Sequence, residues 1–289
     1  GEWVEPLEGR YRDVTVAELP PNSQGSAALL ALHLLDRAGP LPPDGGERQH
    51  RLIEAVSVAL AERDAHLTDP DHMRVPPGIL ADPDRAGALA GPGPPADGGA
   101  RRGGSGDTAY LCAVDGSGLC VSLIQSNYNG FGSGLTVPGW GINLHNRGAY
   151  FSLDPDHRNV IAPGKRTLHT LMPALARRND RPWLVFGTMG ADGQLQTQVQ
   201  LLVRLLDDGA DPAVALAAPR WVVDPGDFSV GIEDRFPAAT VDGLRRRGRR
   251  VAVLGAFEDC MGHAQMIRID GDGVTAASDP RCEGLVAGR

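Results

Sequence analysis

A mixed α+β fold is predicted by three observations. Segments of strand composition and segments with helical apolar spacing are interleaved, without the strict alternation of a doubly wound parallel sheet. The chain has 289 residues and 42% hydrophobic content, enough to bury a full core in one large domain or two small ones. The 38 Gly and 23 Pro follow no Gly-X-Y period, and no apolar run approaches the roughly 18 residues of a membrane span.

The elements follow in order. Tyr11 to Leu19 alternates weakly and stops at Pro20-Pro21, a strand and then a turn. Ser26 to Leu35 reads as a mostly buried helix ended by Gly39-Pro40. Glu47 to Leu67 is a second helix, with Leu52, Val56, Ala59, Leu60 and Leu67 at helical spacing and Asp69-Pro70-Asp71 as the break. From Pro76 to Asp107, 15 of 32 residues are Gly or Pro, which predicts a flexible connector over 76–107. Thr108 to Asp115, the turn Gly116-Ser117-Gly118, and Leu119 to Ser126 make a β-hairpin, followed by a Gly-rich loop over Asn127 to Gly134. Trp183 to Phe186 is a short buried strand. Gln194 to Asp208 is a helix with Val199, Leu202, Val203 and Leu206 on one face. Phe228 to Ile232, Val251 to Leu254, His263 to Ile269 and Gly273 to Ala277 read as strands, and Pro237 to Arg250 as a helix with a basic outer end.

Charge and cysteine usage narrow the function. A net charge of −8 and a pI near 5.5 disfavour nucleic acid or an anionic membrane as partner. Lys165 is the only lysine. Cys112, Cys120, Cys260 and Cys282 form no CxxC pair, and the histidines show no HxH or HExxH spacing, so neither a metal site nor another cofactor is expected. Asp270-Gly271-Asp272-Gly273 lacks the following Glu of an EF-hand and reads as a turn. The first residues have neither a basic n-region nor an apolar h-region. With the unpatterned cysteines this points to a cytoplasmic setting. The chain also begins without Met, as a piece of a longer protein would.

The junction Asp107-Thr108 is the most informative point. A cleavable connector runs into a strand whose first residue is Thr. Cutting that bond gives Thr108 a free α-amine, with a pKa near roughly 8, beside its own hydroxyl, able to take the hydroxyl proton directly or through water. The plain alternative is a β-branched residue that merely starts a strand.

The neighbouring motifs favour the catalytic reading. Thr108, Val114-Asp115, Gly118, Ser126 and Phe131-Gly132-Ser133-Gly134 are followed by Pro163-Gly164-Lys165-Arg166, Gly190-Ala191, Ala217-Ala218-Pro219-Arg220 and Ser278-Asp279-Pro280-Arg281. Their order and spacing resemble the gamma-glutamyltranspeptidase family of N-terminal-nucleophile hydrolases. Pro20 to Gly25 and Asp69-Pro70-Asp71 resemble the end of that family's large subunit, and Thr108 onward its small subunit. The resemblance implies a four-layer αββα sandwich incomplete at its N-terminus, with residues 1–75 large-subunit-like, 76–107 a linker and 108–289 catalytic. It implies self-cleavage into two subunits, with room for a homodimer. It also implies acyl transfer through a Thr108 ester, from glutathione-like γ-glutamyl amides to water or an amine. By the same resemblance Ser126 hydrogen-bonds the nucleophile, and the N–H groups of Gly190 and Ala191 form the oxyanion hole. A positive φ at Ala191 would strain it.

Departures from the family pattern fall in the substrate pocket. Tyr128 stands where an Asn is usual, flanked by Asn127 and Asn129. Tyr150 replaces an Asp that faces the substrate ammonium, Arg147 a Gln, and His169-Thr170 a Ser-Ser pair that holds a carboxylate. Arg147 with His169 suits an extra carboxylate or a glutaryl-like acyl group. An equally weighted alternative makes Arg147 a surface cation paired with Asp154 or Asp156. Three readings follow: a γ-glutamyl transferase or hydrolase, a glutaryl- or cephalosporin-type acylase, and a truncated, catalytically silent paralogue.

Overall fold

The protein is described from a computed structural model, covering residues 1–89, 108–271 and 273–288. Its elements are β1 (Leu7–Tyr11), β2 (Val14–Glu18), α1 (Gly25–Arg37), α2 (Gly46–His66), α3 (Pro83–Ala88), β3 (Thr108–Val114), β4 (Cys120–Ser126), β5 (Thr136–Val137), β6 (Ile142–Asn143), β7 (Ala174–Arg178), β8 (Arg181–Thr188), α4 (Gly193–Leu206), α5 (Pro212–Ala217), β9 (Trp221–Val223), β10 (Val230–Glu233), α6 (Ala238–Arg246), β11 (Val251–Leu254), β12 (Ala264–Asp270) and β13 (Gly273–Ser278).

The main sheet has six strands in the order β1-β2-β7-β8-β12-β13, every adjacent pair antiparallel. Every residue of β8 from Trp183 to Thr188 is buried, which requires cover on both faces. Helices α1 and α4 supply one cover, with α2 packed outside α1, and the β3–β4 hairpin supplies the other. The α+β class is therefore met, with three layers among the described residues: helices, main sheet and hairpin. The hairpin's outer face carries exposed Leu111, Val121 and Leu123, so no fourth layer covers it there.

The hairpin seats on the sheet because Gly187 has no side chain. A Cβ there would collide with the Tyr110 ring, which occupies that space. This fixes the position of Thr108, two residues before Tyr110 on the same face of β3.

A smaller sheet, β11-β10-β9, packs beside α2 and α4 through β9. Helix α4 carries buried glutamines whose side chains zip onto β9. The Gln196 amide accepts from Val223 N at 2.7 Å and donates to Val223 O at 2.9 Å. Gln200 does the same with Trp221 at 3.2 and 3.0 Å. Polar residues on a buried helix face are thereby satisfied, which the buried polar groups of a core require.

Two stretches separated in sequence are laced together. Asn22 and Ser23 donate side-chain hydrogen bonds to the carbonyls of Thr167 and Leu171, both at 2.6 Å. Backbone bonds join His169 N to Asn22 O at 3.0 Å and Gln24 N to His169 O at 3.1 Å. The N–H of Arg166 donates to Asp69 at 2.7 Å. Residues before and after the expected cleavage point thus share one core.

Several expectations are corrected. The strand expected over Tyr11–Leu19 is β2, Val14–Glu18, and it is preceded by an unexpected partner, β1, with Arg12 at φ 55° in the turn between them. The helix expected to reach Arg250 ends at Arg246, and Gly248 at φ 83° turns the chain away. Phe228 at φ 54° delays β10 to Val230. The expected flexible connector does not begin at Pro76. Residues 79–81 form a 3-10 turn and α3 follows, capped by Asp82, with Leu80 and Ala86 fully buried and Arg85 paired to Glu62. The rest of that segment, with Asp107, lies outside the described residues.

Candidate active site

Thr108 opens β3 directly opposite Ser126, the last residue of β4. Cross-strand partners project to the same face, so their side chains meet. The Thr108 hydroxyl donates to Ser126 Oγ at 2.8 Å, and Ser126 Oγ also accepts from Tyr128 N at 2.9 Å. Both hydroxyls open into a cleft of about 750 Å³. Tyr128, Thr170, Gly190, Ala191, Cys260 and His263 are among the residues that line it.

The Gly190-Ala191 turn joins β8 to α4. Gly190 has φ 130° and Ala191 φ 47°, so Ala191 holds a left-handed backbone that costs an L-residue about 1 kcal/mol or more. Neither N–H has an acceptor among the described residues, and both residues face the cleft. Two such backbone donors are available to an acceptor in the cleft.

Residues that sequence reasoning missed hold this turn. The Gln24 side-chain amide donates to the carbonyls of Ala191 and Thr170, both at 3.0 Å. Arg63, fully buried on α2, donates to Gln24 Oε1 at 2.7 Å and to Asp192 at 2.6 Å, and pairs with Asp64 at 3.0 Å. Arg63 lies four residues after Ala59, on the apolar stripe of α2. That periodicity was the available signal for a buried arginine.

Arg147, Tyr150 and His169 form a layer behind Tyr128 and do not line the cleft. The rings of Tyr128 and Tyr150 lie 5.0 Å apart, and the Arg147 guanidinium sits 5.7 Å from the Tyr128 ring. Arg147 is not the surface cation of the alternative reading. It is only 6% exposed, its Nη2 donates to Ser126 O at 3.2 Å, and no carboxylate pairs with it among the described residues. His169 is the neutral member of that pair. Burial, with Arg147 nearby, lowers its pKa to about 4, so the ring is neutral at pH 7. Its Nδ1 accepts from Leu171 N, leaving Nε2 as the protonated nitrogen. Tyr150 points its hydroxyl toward Asp192 at 3.5 Å, and burial beside that carboxylate raises its pKa well above the ordinary value.

The remaining motifs are structural. Lys165 donates to Arg158 O at 2.6 Å. The Ala217–Arg220 and Ser278–Arg281 stretches meet in a buried cluster, Arg220 with Asp279 at 2.6 Å and Arg281 with Glu233 at 2.7 Å. Among the described residues no His, Cys, Asp or Glu cluster could hold a metal, and no helix is long and apolar enough to cross a membrane.

A strand-initiating threonine beside a partner hydroxyl, with unpaired backbone donors lining the same cleft on an α-covered sheet, is the layout of an N-terminal-nucleophile hydrolase. The gamma-glutamyltranspeptidase family model matches residues 1–289, and the chain belongs to that family. It is 40% identical to the glutathione hydrolase-like YwrD proenzyme of Bacillus subtilis, over 100% of this chain and 56% of that protein. It is 41% identical to the oxamate amidohydrolase proenzyme of Klebsiella pneumoniae, over 98% of this chain and 55% of that one. The crystal structure of a cephalosporin acylase from Bacillus halodurans superposes with a TM-score of 0.88 at 39% identity, covering 99% of this chain and 53% of that chain. The chain thus spans about half the length of the relatives it matches.

Proposed function

We propose that the protein is an amidohydrolase that acts through Thr108 after the Asp107–Thr108 bond is cut. The observation that carries this is the 2.8 Å hydrogen bond between Thr108 and Ser126 at the cleft that Gly190 and Ala191 face. In maturation the Thr108 hydroxyl attacks the Asp107 carbonyl, the C–N bond breaks, and water hydrolyses the resulting ester. The freed α-amine then takes the hydroxyl proton as Thr108 attacks a substrate amide. The tetrahedral oxyanion is held by the N–H groups of Gly190 and Ala191, donors of a kind worth roughly 3 kcal/mol each. The amine leaves with the proton. Water, activated by the same α-amine, releases the acid and restores Thr108.

The substrate class is a small amide. γ-Glutamyl amides, with hydrolysis or transfer to an amine, are the first reading, supported by the family. An acylase acting on an ammonium-free acyl group is the second, favoured by Tyr150 and Arg147 behind the pocket. Mass spectrometry of the aged protein tests the core of the proposal: two pieces, residues 1–107 and 108–289, are expected. Thr108→Ala is expected to stay whole and inactive. A parent chain that stays whole and inert on amides points instead to the catalytically silent reading.

A further inference from the structure

The cleft has a second wall, built by the small sheet and the turn after it. Both walls meet at the stretch from Gly190 to Gly193. On one flank the Gln24 amide ties Thr170 to Ala191, and Tyr128 stands beside Ser126. On the other, the place where a Cβ of Gly193 would stand lies 3.6 Å from the Cys260 carbonyl and 3.8 Å from the Val222 side chain. An amide whose carbonyl rests at this turn has its acyl half on one flank and its amine half on the other.

In the small sheet, Gly231 of β10 is paired in register with Val222 of β9 and Ala252 of β11. Cross-strand partners share a face, and all three line the cleft. They make an apolar row two strand spacings wide, about 10 Å, with room for a short alkyl stem. Asp224 follows β9 at one end of the row, and Glu258 and Asp259 follow β11 at the other. Asp224 and Glu258 each accept one backbone N–H, from Gly226 at 2.7 Å and Gly255 at 3.0 Å, and neither meets an Arg or Lys among the described residues. No Arg or Lys among those residues lines the cleft, and His263 already faces Asp259 at 3.2 Å. Asp192 is paired with Arg63. Cys260 registers the same field: partial burial and then the Glu258 carboxylate push its thiol up, so a negative charge is disfavoured there. A cleft lined by one sign of charge concentrates the opposite sign.

We infer that this wall takes the amine half of the substrate and that this half is cationic. An aminoalkyl amide, such as a monoacylated diamine, lays its stem on the Val222-Gly231-Ala252 row and its ammonium among the acids. An amide of an amino acid would turn its carboxylate toward Asp224 and Glu258 and is disfavoured. The inference rests on Thr108 being the nucleophile. It does not depend on which acyl group the other flank accepts.

Three amides of similar length carry the test, with 1,4-diaminobutane, butylamine or 4-aminobutanoate as the amine half, each in a glutaryl and a γ-glutamyl series. At neutral pH their free ends are positive, neutral and negative. In whichever series the full chain hydrolyses, it is expected to release diaminobutane with kcat/KM about 10-fold above butylamine and about 100-fold above aminobutanoate. The double change Asp224→Asn, Glu258→Gln is expected to bring the diaminobutane-to-butylamine ratio near one, whereas a merely structural loss lowers both and leaves the ratio. Salt gives a second readout on the parent chain: exposed charges are screened, so about 0.5 M NaCl is expected to shrink the same ratio. Equal release of diaminobutane and butylamine, faster release of aminobutanoate, or a ratio indifferent to both salt and the double change overturns the inference. If no amide is hydrolysed, the amidohydrolase reading fails, and the intact amides become ligands for calorimetric titration. The cationic wall still stands if the diaminobutane amides alone bind and the double change abolishes it. It falls if they do not bind, or if the variant binds them unchanged.

Discussion

Two buried arginines flank one cleft and are handled in opposite ways. Arg63 is locked: Asp192, Asp64 and Gln24 take its donors, and through them the Gly190-Ala191 turn is held in place. Arg147 is left open, with one donor on a backbone carbonyl and Nη1 without a hydrogen-bond partner among the described residues. The contrast separates a charge that shapes the site from a charge kept available to it.

Removing each charge gives the largest test. Arg63→Met strands the Asp192 carboxylate and is expected to cost about 3–5 kcal/mol, lowering the thermal midpoint by roughly 10 °C. Arg147→Met removes a cation with no carboxylate partner among the described residues to strand, so its stability is expected to stay within about 1 kcal/mol of the parent, or to rise. Equal losses in thermal denaturation would break the comparison. Next comes Gln24→Leu, which orphans the carbonyls of Ala191 and Thr170. It is expected to cost about 2 kcal/mol and, if the turn's N–H groups serve the transition state as proposed, to lower kcat about 10-fold with little change in KM.

The Arg147 side also carries a pH signature. Folded His169 titrates near 4, below its ordinary 6.5, so the unfolded chain binds the extra proton first as pH falls. Stability is expected to be full above about pH 6.5, to decline by up to ~3 kcal/mol toward pH 4, and to level off below. His169→Gln should flatten that part of a denaturation series. The smallest effect belongs to Ala191→Gly. Relief of the left-handed strain is nearly cancelled by the looser unfolded chain, so the change should stay below about 0.5 kcal/mol and activity should persist, since the N–H remains.

Much of this site was legible from the residues. Thr108 and Ser126 end the two strands of a hairpin whose turn, Gly116-Ser117-Gly118, sets their pairing, and Gly190-Ala191 stands before a strongly amphipathic helix. The locking residues were hidden because Gln24 and Arg63 act across the fold on a loop far away in sequence. Composition predicts a loop residue and a solvated helix residue. Arg147 was visible as a departure from the family pattern, but its burial depends on Tyr128 and Tyr150 closing over it. In the fold, α4 and α2 announced themselves by apolar spacing. Strand β9 has three residues and owes its place to the α4 glutamines, so no local pattern could reveal it. Helix α5 did carry a signal, Asp211 capping and Pro212 at its first turn.

Gly187 has one more consequence. The Tyr110 ring fits the slot left by that missing side chain as a key fits a lock, and strands otherwise slide in steps of two residues without exchanging faces. A slip of one such step would carry Thr108 roughly 7 Å along the sheet, away from the Ala191 turn. The placement of the Thr108 hydroxyl relative to the Gly190-Ala191 turn, on which the proposed chemistry depends, is therefore set by a ring and an absent methyl group that the proposed reaction does not use.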